Sequence, residues 1–156
     1  MKILKTLCIV VLILGISTFA YAADGKHTAQ ITSLDGKAEV KLAGQTAWNP
    51  VQVGATLNEG DTLKTNANSK ALLTIGAKGE VGTVEVSGGS QLLLSSMMFD
   101  QKANTSKTLL DLAMGEVLIK AQKLEGDKSS FEVKTPTSIV GVRGTVFKVK
   151  VESVEE

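Results

Sequence analysis

Apolar and polar side chains alternate over short runs along most of this chain. Ala38, Val40 and Leu42 alternate with Glu39 and Lys41, between Asp35-Gly36 and Gly44. Val51 and Val53 alternate past Pro50, and Ala71, Leu73 and Ile75 alternate with Leu72 and Thr74. Val84 and Val86 flank Glu85 and stop at Gly88-Gly89, and Leu92 to Leu94 is a short apolar run. Further on, Val117 and Ile119 flank Leu118, and Phe131, Val133 and Thr135 flank Glu132 and Lys134. Val142, Gly144 and Val146 then oppose Arg143, Thr145, Phe147 and Val149. A repeat of two is the signature of a strand with one face buried. Turn residues recur at the spacing of an all-β sandwich, roll or barrel. The pattern therefore predicts an all-β, single-domain β-sandwich or jelly-roll-like β-roll, with a short β-solenoid as the alternative.

Two segments depart from the pattern. Between Ser106 and Lys123, Leu109, Leu110, Leu112, Ala113, Met114, Val117, Leu118 and Ala121 fit a helical stripe. Gly115 lies mid-run, where it costs a helix ~1 kcal/mol against Ala, and Val117 and Ile119 favour a strand. The expectation is two strands meeting at a Met114-Gly115-Glu116 turn. Met97 to Ser106 is polar and reads as a loop. Glu59-Gly60-Asp61 recurs as Glu125-Gly126-Asp127, but two copies do not make a repeat. The acidic end, Glu152 to Glu156, is expected to fray.

The start of the chain has a different composition. Lys2 and Lys5 precede an almost wholly apolar run from Thr6 to Phe19, followed by Ala20-Tyr21-Ala22. A charged start, a short apolar run and small residues at A-x-A form a secretory signal, with cleavage expected before Ala23. An uncleaved anchor is the alternative, though the run is short for a spanning helix. Cys8 follows Leu7 near the start of the run, which does not suit a lipidation site. The expected organisation is a signal peptide over 1–22 and one domain over 23–156, with its core at about 31–151. The exported chain then holds no Cys, so stability rests on packing.

Charge and composition narrow the chemistry. Seventeen basic residues against sixteen acidic ones give +1, without the basic footprint of a nucleic-acid binder. Aromatic residues are 4%, too few for a base-stacking platform. One Cys and one His leave no multi-ligand zinc site and no His-based triad. No cofactor or metal is expected.

Three strings carry a family resemblance. The first is Trp48-Asn49-Pro50-Val51-Gln52-Val53-Gly54 with Leu57, Gly60-Asp61, Leu63 and Thr65, followed by Ser69-Lys70-Ala71-Leu72-Leu73. The second is Gly115-Glu116-Val117. The third is Phe131-Glu132-Val133-Lys134-Thr135-Pro136, then Val140-Gly141-Val142-Arg143-Gly144-Thr145-Val146-Phe147. In this order they resemble the FecR domain family, named for the periplasmic part of a regulator of iron-citrate uptake. The resemblance implies an all-β domain outside the cytoplasm. In the regulators such a domain follows a cytoplasmic anti-sigma segment and a membrane helix. Residues 1–22 are too short for the former, and no following receptor-contacting domain is evident. The chain looks like the stand-alone exported type, and the resemblance implies a periplasmic or secreted location.

The motif residues Trp48, Gly60, Asp61, Thr135, Pro136, Val142, Arg143, Gly144, Thr145 and Phe147 are expected to shape the fold. Arg143 is the only Arg beside 16 Lys, suited to clamping a buried Asp61 or Asp111, or else to a ligand carboxylate or phosphate. Gly141 and Gly144 suit a bend between strands, and Thr135-Pro136 a strand end. Asp61 suits a Gly-Asp turn, Trp48 a core edge or a sugar-stacking site, and His27 a solvated terminus. The functional expectation is a non-catalytic FecR-like module, an envelope protein-binding or signalling accessory. A cell-wall structural or glycan-binding protein is the alternative. A carboxylate-based wall hydrolase would use Asp61, Asp111 or Glu116, yet nothing in the sequence pairs them. The partner is an envelope protein or peptidoglycan, not nucleic acid, with membrane contact only during export. Sheet edges and the segment from Met97 to Ser106 are the expected contact surfaces.

Overall fold

A computed structural model of the protein describes residues 25–100, 102–123, 128–142 and 144–152. The expected signal segment, its cleavage site, Arg143, the Glu125-Gly126-Asp127 echo and the acidic tail after Glu152 lie outside the described residues. The alternating runs form strands: β1 (Gly25–Lys26), β2 (Ala29–Asp35), β3 (Ala38–Lys41), β4 (Asn49–Pro50), β5 (Thr56–Leu57), β6 (Thr62–Thr65) and β7 (Lys70–Ile75). They continue as β8 (Gly82–Val86), β9 (Gln91–Asp100), β10 (Thr105–Ala121), β11 (Ser130–Lys134), β12 (Ile139–Val142) and β13 (Val146–Val151). No helix occurs among the described residues.

The strands form one open sheet that curls into a half-barrel, an all-β single domain as the alternation predicts. One arm runs β4-β3-β6-β9-β10 and continues through β11 to β12, with β1 on β9. The other runs β10-β8-β7-β2-β5 and carries β13 on β10. Inward positions from both arms, among them Ile31, Leu73, Leu92, Leu112, Ile119 and Phe131, bury completely in one core. Every described pairing is antiparallel except β10–β11. A solenoid stacks its strands in parallel, so that alternative does not hold.

The expected turn at Met114-Gly115-Glu116 is not a turn. Thr105 to Ala121 is a single strand of 17 residues. Gly115 adopts φ +95, and a side chain there would collide with Ser90. The register slips between Leu112 and Met114, leaving Ala113 as the extra residue just before the glycine, so the strand is redirected there instead of reversed. Before the bulge β10 pairs with β9 and β11, and from Gly115 on it pairs with β8 and β13. Gly115 is therefore where one strand passes from one arm of the sheet to the other.

The expected loop from Met97 to Ser106 is also mostly strand. Met97 is buried and Met98 exposed within β9, and Ser106 and Thr108 face inward on β10. Polar outward positions near a hairpin tip share a loop's composition, and here they mask the alternation. The run at Val51 and Val53 forms no strand. Val53 is exposed, and Gly54 donates its amide hydrogen to the Ile31 carbonyl in a turn.

Candidate functional site

The motif residues fall at strand ends and corners. Asp61 is 3% exposed, and its carboxylate accepts amide hydrogens from Ala43 at 2.9 Å and Asn58 at 2.8 Å. Gly60 beside it, at φ +91, would bring a Cβ to 2.8 Å from that of Ala43. Trp48 lies half-buried, with Lys41 Nζ 5.3 Å and Lys64 Nζ 5.6 Å from its ring centre. Both ammonium groups are within cation–π range.

The third string forms the β11–β12–β13 corner. Thr135 closes the β11–β12 turn: its amide hydrogen goes to the Ser138 carbonyl at 2.8 Å, and its Oγ1 accepts from Ser138 N at 3.0 Å. Pro136 sits exposed in that turn, where no ladder hydrogen bond is needed. Val142 ends β12 buried, and Phe147 packs from β13 against the core. Between them the Thr145 carbonyl accepts the Ala121 amide hydrogen at 3.2 Å, and Gly144 comes against Lys123. This corner carries the chain from one arm of the sheet to the other.

These residues do not converge on a single site. β6, which follows Asp61, is separated from β11 by β9 and β10. The three carboxylates weighed as catalytic have separate partners. Asp111 faces Lys134 Nζ at 3.6 Å across β10–β11, and Glu116 faces Lys148 Nζ at 3.0 Å across β10–β13. Among the described residues no group of three or more His, Cys, Asp or Glu side chains is placed to hold a metal.

The structure gathers a different set of groups around His27. The expectation of a solvated histidine fails: His27 is 7% exposed. Its amide hydrogen goes to the Met97 carbonyl at 2.9 Å, which carries the chain inward after β1. Its ring lies 4.7 Å from that of Phe99, tilted by 45°. Nδ1 is 3.7 Å from Glu80 Oε1. Glu80 holds its own turn closed by accepting amide hydrogens from Ala77 at 3.1 Å and Lys78 at 2.7 Å. Burial lowers the His27 pKa below its ordinary value, and the charge of Glu80 only partly opposes this. Partial burial raises the Glu80 carboxyl. The amides of Glu80, Lys78 and Ala77, with His27, outweigh that and hold it low.

These groups border a cavity of about 300 Å³, whose wall includes Val81, Phe99, Ser106 and Lys123 as well as His27 and Glu80. His27 Nε2 and Ser106 Oγ are buried without a hydrogen-bond partner, and so is Thr108 Oγ1, one inward position along β10. A second tie secures this end. Glu59 accepts from Lys26 Nζ at 3.0 Å and from the Met97 amide at 2.9 Å, which together hold its carboxyl below the usual range. The sequence does contain a signal for His27. It stands in phase with the inward residues Ala29 and Ile31, two and four positions on.

No curated protein sequence and no solved structure gives a match to this chain. No helix among the described residues is long and apolar enough to cross a membrane. The family model described as FecR protein matches residues 61–155, from Asp61 through the β11–β13 corner. That match covers more than half of the sequence, and with the corner strings in their expected order the chain belongs to the FecR family, whose domains are signalling-related and envelope-associated.

Proposed function

We propose that this protein is an exported, non-catalytic FecR-like module, a signalling accessory of the periplasm or cell envelope, that works by contact. The segment 1–22 serves as the export signal. The partner is an envelope protein that adds an extended segment to the outer edge of β12.

The observation that carries this reading is the state of β12. Among the described residues it pairs only with β11, leaving its other edge without a strand. Ile139 is 63% exposed and Val140 36% exposed. From Thr135 to Val142 the sequence carries no charge. Exposed sheet edges usually carry a Lys, a Pro or a bulge that discourages pairing, and this strand has none within it. An uncharged apolar edge accepts main-chain hydrogen bonds from an added strand and offers apolar side chains for selection. The separate partners of Asp61, Asp111 and Glu116 support a non-catalytic role.

A photo-crosslinking residue at Ile139, in the protein as made in its native cells, tests this. Cross-links to a short extended stretch of one envelope protein are expected. With the photo-crosslinking residue moved to Val140, Ile139→Lys should abolish the complex and leave the melting midpoint in place. Cross-links only to a second copy of this chain would overturn the reading. So would release of peptidoglycan fragments by the purified protein that Asp111→Asn or Glu116→Gln stops.

A further inference from the structure

Resting on the edge reading above, we infer that the segment accepted by β12 carries a Lys or Arg at the position facing Gly141, between apolar residues facing Val140 and Val142. The basic side chain crosses the glycine and pairs with Glu132 on β11. Three observations lead there. The first is the glycine itself, which lies inside the four-residue strand β12. A glycine within a strand weakens it and often marks a place where another backbone or a ligand comes close. The usual local reasons do not apply to this one. Its φ is not positive, and an added Cβ would meet only Glu132 Cγ, at 3.9 Å. The missing side chain is room that the fold of this chain does not itself require.

The second observation is the carboxylate beside that room. In register, Glu132 stands between Leu109 on β10 and Gly141 on β12, so neither cross-strand neighbour offers a charge. Its carboxylate makes no ion pair or hydrogen bond among the described residues, Lys107 on the diagonal included. Two residues on, the same face is matched, with Lys134 Nζ at 3.6 Å from Asp111. Glu132 is half-buried, and its stem lies alongside the empty glycine position. An added strand would run about 10 Å from β11, two strand spacings away. The long stem of a Lys or Arg reaches back toward Glu132 because no side chain intervenes at Gly141. A hollow of about 400 Å³ bordered by Glu132, Gly141 and Val142 leaves space for it.

The third observation concerns the flanking positions. Val140 and Val142 face Val133 and Phe131, both members of the core. Residues of an added strand that face these two valines extend that core, where an unpaired charge would be costly. The residue facing Ile139 shares the outward side with the basic one and meets an exposed apolar side chain. Apolar and basic positions therefore have separate places along one edge.

The test uses the full chain and three blocked peptides, Thr-Ile-Val-X-Val-Ile-Thr, with Lys, Gln or Glu at X. This sequence reads the same in both directions, so parallel and antiparallel docking place X alike. A photo-crosslinking residue at Ile139 establishes that the bound peptide lies on β12. The Lys peptide should bind about threefold to fivefold more tightly than the Gln peptide, as a cross-strand charge pair gives, and the Glu peptide more weakly than both. Glu132→Gln should bring the Lys and Gln peptides to equal affinity, and Glu132→Lys should reverse the order of Lys and Glu. Gly141→Leu fills the gap and should also remove the preference for Lys. Its melting midpoint should hold, because φ and the surrounding space admit a side chain. Equal affinities of peptides that cross-link at Ile139 overturn the inference and leave the edge reading in place. So does a native partner segment, captured at Ile139 in its own cells, with no Lys or Arg facing Gly141. If neither a peptide nor a native segment cross-links at Ile139, the edge reading falls and the inference with it.

Discussion

Asp61 Oδ1 accepts the amide hydrogen of Ala43, a residue 18 positions earlier, at 2.9 Å. The other oxygen takes the amide of Asn58 at 2.8 Å, so one buried side chain ties together the loop after β3 and the turn before β6. An ionised acceptor bonded to two backbone amides is among the stronger polar contacts available to a protein without disulfides.

Asp61→Ala should therefore destabilise the protein by about 2–4 kcal/mol, because two amides lose their acceptor. Asp61→Asn keeps one carbonyl acceptor and should cost about 1–2 kcal/mol. Urea melts of the two variants give the order, and equal midpoints for Asp61→Ala and wild type would contradict the role of the clamp.

Acid should weaken the fold in two windows. The folded pKa of His27 lies below its usual 6.5, since burial disfavours the charged ring. The unfolded state therefore binds the proton first, and stability present above about 6.5 is lost as pH falls toward the folded value. Glu59 and Glu80 are also held below their usual 4.5, so their contribution is present above that value and lost as pH falls through the folded values. Thermal melts from neutral to acid pH should show both losses. His27→Gln should flatten the upper window and leave the lower one.

Gly115→Val should cost about 2–4 kcal/mol, because it combines a positive φ with a collision at Ser90. The added Cβ would meet the Ser90 main chain as well as its side chain, so Ser90→Gly should restore only part of the loss. Denaturant midpoints of the single and double variants check this.

The protein recovered from its native envelope should begin at Ala23, because Ala20 and Ala22 suit the small pockets of a signal peptidase. N-terminal sequencing decides between this and an intact Met1 end held in membrane.

The alternation located β3, β7, β8 and β11 closely, because each keeps one face inward for its whole length. β2 was not legible. Its register shifts between Ile31 and Ser33, so the inward residues are Ala29, Ile31 and then Leu34, and the period breaks. β10 was legible as strand, but its continuity through Gly115 depends on Ser90, a neighbour 25 residues away that periodicity does not reveal. The strand-end positions of Thr135, Pro136 and Gly144 followed from turn chemistry. The cavity did not, because Glu80, Phe99, Ser106 and Lys123 come from separate strands and connections, and only folding brings them to His27.

The place of β10 in both arms has a consequence for the order of assembly. Its partners β8 and β9 precede it in the chain, and β11 and β13 follow it. A chain that emerges from its amino end therefore presents β8 and β9 with an open side until Thr105 to Ala121 arrives. Thr105 to Met114 complete one arm and Gly115 to Ala121 the other, so both wait on a single strand of 17 residues. Such long-range pairing is slow to form and exposes strand edges meanwhile. The nascent protein thus has an interval in which a chaperone that shields extended apolar segments finds its substrate, and that interval ends when β10 docks.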